Sequence, residues 1–127
     1  MVYVPPSPEH AHARFVAVYT MRPEDLAAFR ARPKSEQEAI DKVGLKAWEE
    51  WCKRNAAAIV ATDVMVGKTR RVTKSGIADA QNQIVGFLIV EAADIAAAGL
   101  FQDHPHITVF PGDGIDVMPV VTGPPED

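Results

Sequence analysis

The chain has 127 residues, 47% of them hydrophobic, with a single cysteine and a net charge of -4. That is apolar material enough for one core without disulfide staples. The acidic balance argues against nucleic acid, whose phosphates call for dense Lys and Arg, and the longest apolar runs, residues 56–61 and 84–90, fall short of the roughly 20 residues that cross a bilayer.

Residues 1–13 hold prolines and histidines without periodicity and read as a flexible arm. Residues 14–21 read as a strand, with Phe15, Ala17 and Tyr19 on one face and Val16, Val18 and Thr20 on the other. Pro23 suits the first turn of a helix that Glu24 and Asp25 favour electrostatically and in which Leu26 and Phe29 face inward; Pro33 ends it. Ser35-Glu-Gln-Glu38 has the form of a capping box opening a helix over about 36–55. Two apolar rows run along that helix: Ile40, Val43, Ala47 and Trp51, and beside them Leu45, Trp48, Cys52 and Ala56.

Residues 64–73 read as one strand with a bulge at Gly67, and residues 74–83 as a polar turn. Residues 84–92 are apolar on both faces, which predicts a central strand. Asp94 can cap a short helix running through Phe101. Residues 111–114 form a turn, residues 115–121 a last strand, and residues 122–127 a tail. The order predicts an α+β domain over residues 14–121: a ferredoxin-like split βαβ with a four-stranded antiparallel sheet and its helices on one face. The other face would be covered by a second copy about a two-fold axis.

Asp103-His-Pro-His106 carries the chemistry most open to interpretation. Imidazoles titrate near neutrality and a neighbouring carboxylate can fix their tautomer, so Asp103, His104 and His106 are catalytic candidates. The structural alternative has Asp103 and His104 capping a helix end, Pro105 terminating it and His106 tethering the loop. Arg70, in the basic cluster Lys68, Arg70 and Arg71, could anchor an anion or simply guard a sheet edge. Trp48 and Tyr19 could wall a small-molecule pocket or fill the core.

Two His-x-His pairs, His10/His12 and His104/His106, lack the third ligand of a catalytic zinc, so no metal is expected. Gly67-Lys-Thr69 is not a phosphate loop, because the required earlier glycine is Thr62; no cofactor is expected. Lone Cys52, with no signal-peptide pattern at the N-terminus, points to a cytoplasmic protein.

Several segments together resemble the YCII-related family. They are Trp48-Glu-Glu-Trp51, Gly67-Lys-Thr69 leading into Val72, the Gly76 turn, Gly86-Phe-Leu-Ile-Val-Glu-Ala92, and Leu100-Phe-Gln-Asp-His-Pro-His106 through Pro111-Gly112 to Val117-Met-Pro119. The resemblance implies a ferredoxin-like fold that dimerises as an α+β barrel. It also implies a pocket in which a His–Asp pair is proposed to carry acid–base chemistry, with Asp103 at the position of the pocket acid. Where the family places its histidine, this chain has Pro23-Glu-Asp-Leu26, so a pocket imidazole would come from His104 or His106. Three functional readings follow: cofactor-free acid–base chemistry, of isomerase or lyase type, on a small organic acid or phenolic compound; a non-catalytic small-molecule-binding module; and a structural or regulatory homodimer.

Overall fold

Strand β1 (Ala13–Thr20) buries every second side chain, and this alternation defines the inside of the fold. The computed structural model describes residues 13–121; the arm at 1–12, with its His10/His12 pair, and the tail at 122–127 lie outside them. After β1 come α1 (Pro23–Arg30), α2 (Lys34–Arg54), β2 (Val64–Met65), β3 (Thr69–Thr73), β4 (Gly76–Ala80) and β5 (Ile84–Ala92). A 3-10 helix (Ile95–Phe101), α3 (Pro105–Thr108) and β6 (Gly114–Pro119) complete the described chain. The main sheet has four antiparallel strands in the order β2-β5-β1-β6.

Phe15, Ala17 and Tyr19 of β1 stand opposite Val90, Leu88 and Gly86 of β5, and all six are buried. Trp51 of α2 and Ala97 and Phe101 of the 3-10 helix close the core over them. The opposite face is not covered by any of the described residues. Val16, Val18 and Ile89 are half-buried there, and Phe87 and Met118 are exposed. β5, flanked by β2 and β1, is an interior strand, as its two-sided apolarity predicts.

Asp94 caps the 3-10 helix, its carboxylate accepting from the Ala96 N–H at 2.8 Å. The capping box at Ser35 does not form: α2 begins at Lys34, with Pro33 at its N-cap and no side-chain cap. Proline's fixed φ already suits the approach to a helix, so the start moves upstream and Ser35 falls inside the first turn. Gln37 instead ties the α1–α2 junction, donating to the carbonyls of Arg30 and Arg32 at 3.0 and 2.8 Å.

The strand expected over residues 64–73 is two strands in different sheets. The chain leaves the main sheet after Met65 and re-pairs as a separate β3–β4 hairpin. The expected polar turn at 74–83 therefore contains β4, whose small and polar residues, Gly76-Ile-Ala-Asp-Ala80, carry no alternation that would announce a strand. Gly76 closes the hairpin at φ +135°, a conformation that side chains rarely tolerate.

Of the two apolar rows expected on α2, Trp51 is buried, and Trp48, Ala47 and Cys52 are half-buried, but Val43 and Leu45 are largely exposed. The buried stripe passes through Gly44 because the far end of the Phe110 ring abuts the helix there, in the space a Cβ would fill. Alanine at this position should gain about 1 kcal/mol of helix propensity. Overpacking against the ring costs about 1–3 kcal/mol. Gly44→Ala is thus expected to lower the urea midpoint, and the same change in a Phe110→Ala background to raise it.

Candidate functional site

Both C-terminal histidines point inward. His104 is fully buried and His106 nearly so. Pro105 does not terminate a helix; it opens α3, and His104 is the N-cap, its Nδ1 accepting from the His106 backbone N–H at 3.0 Å. That bond places the neutral ring's proton on Nε2. Around the ring stand Trp48 at 4.3 Å, Trp51 at 4.5 Å, Tyr19 at 5.1 Å and Phe101 at 5.9 Å between centroids. Burial, and then the neighbouring His106, push His104 down from 6.5 to about 4, against a smaller upward pull from Asp103.

His106 donates from Nε2 to the Thr20 carbonyl at 2.7 Å, joining α3 to the end of β1. The Gly112 N–H returns to the His106 carbonyl at 3.0 Å, and the Asp113 N–H reaches the Thr20 carbonyl at 2.9 Å. Burial lowers the His106 pKa, while the carbonyls of Thr20 and Gly114 oppose the shift. Both imidazoles are therefore neutral at pH 7 and serve as hydrogen-bonded parts of the core.

Tyr19 is buried, and its hydroxyl has no hydrogen-bond partner among the described residues. Burial raises the phenol pKa strongly, and the nearby Asp63 carboxylate raises it further without meeting hydrogen-bond geometry, so Tyr19 stays protonated. The His104 Nε2 is likewise unpartnered. The Trp48 indole N–H donates to Asp63 Oδ2 at 2.8 Å, and the Trp51 indole N–H to the Leu100 carbonyl at 2.9 Å. Cys52 is half-buried, and burial followed by Asp63 pushes its thiol up, which disfavours a thiolate nucleophile.

In front of this cluster lies a cavity of about 570 Å³. Leu45, Trp48, Met65, Val85 and Phe110 form its apolar wall; Arg30, Glu49, Asp63 and His106 are its polar or charged residues. Its size falls within the roughly 300–1,000 Å³ of small-molecule sites. Leu45, exposed to solvent, belongs to this wall.

The residues singled out in the sequence divide accordingly. Trp48 and His106 line the cavity; Tyr19 and His104 pack behind it. Asp103 is turned outward, in an ion pair with Arg54 at 3.0 Å, and its carboxylate makes no hydrogen bond to an imidazole among the described residues. Arg70 pairs with Asp79 at 3.1 Å within the exposed hairpin and does not line the cavity. Asp63, the carboxylate that does, went unremarked in the sequence. Its one signal was isolation, as the only charged residue between Arg54 and Lys68.

No group of three or more His, Cys, Asp or Glu side chains among the described residues could hold a metal ion. No helix among them is long and apolar enough to cross a membrane. The chain matches no protein-family model and no curated protein.

The buried imidazoles make stability depend on pH. The unfolded chain accepts a proton near 6.5 that folded His104 refuses until about 4. Stability is then complete above 6.5 and falls as pH drops through that window, since acid favours the state that binds more protons. Urea denaturation between pH 7.5 and 5 should show this loss. His104→Asn keeps a capping side chain but cannot titrate, and should flatten the slope.

Proposed function

We propose that this chain is a small-molecule-binding domain, with the 570 Å³ cavity as its site. The observation that carries the reading is the division of labour at the site. An apolar wall with one indole-anchored carboxylate, Trp48 to Asp63, faces the cavity, while the imidazoles are committed to the fold by the cap at His104 and the bond from His106 to Thr20. The fitting ligand is a compact, mostly apolar or aromatic molecule. Neutral probes such as indole, 2-naphthol and 1-octanol should raise the thermal midpoint by several degrees, in line with about 2.7 kcal/mol at a hundredfold excess over Kd. Leu45→Trp, on the exposed rim, should fill the cavity and abolish the shift; probes that give no shift with the wild-type chain defeat the reading.

A second reading, cofactor-free acid–base chemistry on a small organic acid or phenol, is favoured by the presence of Asp63 and His106 on one cavity. Asp63 then takes the part that the sequence suggested for Asp103. Asp63→Asn would cut turnover by at least about 100-fold while sparing the ligand-induced thermal shift.

The strand order, with β1 and β5 central and β2 and β6 at the edges, supports a ferredoxin-like reading and with it the resemblance to the YCII-related family. The face of Val16, Val18, Phe87, Ile89 and Met118, which the described residues leave uncovered, supports a homodimer formed sheet to sheet. Light scattering should then give twice the 13.8 kDa chain mass. Phe87→Glu, which places a charge at the centre of the face, should return the chain to a monomer.

A further inference from the structure

The cavity does not end at its apolar wall. A second hollow, of about 440 Å³, adjoins it and shares four of its residues, Leu26, Arg30, Val66 and Val85. The two ends differ in chemistry. The first is walled by Trp48, Phe110, Leu45 and Met65, whereas the second is bounded by Lys68, Thr69, Gln81 and Asn82 at the base of the β3–β4 hairpin. Arg30 stands at the junction.

The charged groups along this path are not equivalent. Glu49 is paired with Lys53 at 3.1 Å, Asp63 accepts from the Trp48 indole at 2.8 Å, and Lys68 lies 3.7 Å from Asp79. The Arg30 guanidinium has no ion-pair or hydrogen-bond partner among the described residues. Of the two cations on the path, Arg30 and Lys68, it is the one without an ion pair among the described residues, and a guanidinium matches a carboxylate through two parallel N–H donors.

Resting on the reading of the cavity as a ligand site, we infer that the natural ligand is an amphipathic carboxylate. Its apolar body occupies the space between Trp48, Met65 and Phe110, and its head is held by Arg30 at the mouth of the polar hollow. The carboxylates of Glu49 and Asp63, already partnered, set the orientation by repelling the head from the apolar end. The anion anchor that the sequence suggested at Arg70 is thus supplied by α1.

Matched ten-carbon probes test this: decanoate, 1-decanol and decylamine, each below its aggregation concentration, titrated calorimetrically into the full chain at fixed ionic strength. Decanoate should bind about tenfold more tightly than 1-decanol, equivalent to about 1.4 kcal/mol, and decylamine more weakly than either. Arg30→Gln, an exposed substitution, should erase the preference for the carboxylate, bringing decanoate affinity down to about that of 1-decanol in the same variant. If decanoate binds no better than 1-decanol, or the preference survives in Arg30→Gln, the inference fails while the cavity reading stands. Binding of none of the three probes would remove both.

Discussion

The bond from His106 Nε2 to the Thr20 carbonyl is the constraint on which the rest of this structure depends. It fastens the segment after the 3-10 helix to the end of the central strand β1, more than eighty residues earlier in the chain. The same carbonyl also receives the Asp113 N–H, which brings the chain to β6 in register beside β1. Burial of a hydrogen-bonded imidazole is tolerable only when the ring is neutral, and the lowered pKa values of both histidines express that condition. The polar residues most suggestive of catalysis thus join the core to its last strand.

That arrangement also builds the cavity. His104 fills the space between Trp51 and Phe101 on one side and Trp48 and Tyr19 on the other, so Trp48 is held edge-on and its indole N–H is left to meet Asp63. Phe110 lies against Gly44 of α2 and supplies the facing wall. A site defined by rigid aromatic groups and one anchored carboxylate is suited to selection by shape and by a single polar contact. Asp63 can hold its position because the indole that orients it is packed in turn against His104.

The β3–β4 hairpin stands apart from this order. It forms its own two-stranded sheet, with Val72 and Ile77 exposed on one face beside the ion pair of Arg70 and Asp79. An isolated two-stranded hairpin is marginal in water, and here it is fixed at its base through the segments that lead into β2 and β5. Its base nevertheless frames the polar hollow beside the cavity, so a peripheral element borders the candidate site.

Local pattern determined much of this protein. Period-two alternation fixed the inner face of β1, two-sided apolarity made β5 an interior strand, and Asp94 announced the 3-10 helix that it caps. These features rest on interactions among residues close in sequence, or on the plain need to bury apolar surface, and so they are written in composition and spacing. The irregularity at Gly67 was read as a bulge where the strand in fact breaks, and the strand hidden in Gly76–Ala80 was not legible, because small and polar residues carry too little contrast to mark a face. Trp48 and His106, singled out in the sequence, do line the cavity, but which carboxylate joins them was decided by tertiary structure. Asp103 and Asp63 look alike as letters, but packing turned the first outward to Arg54 and placed the second beneath Trp48. A carboxylate's role follows from the charges and donors that folding brings to it, and those came from residues 49 and 15 positions away.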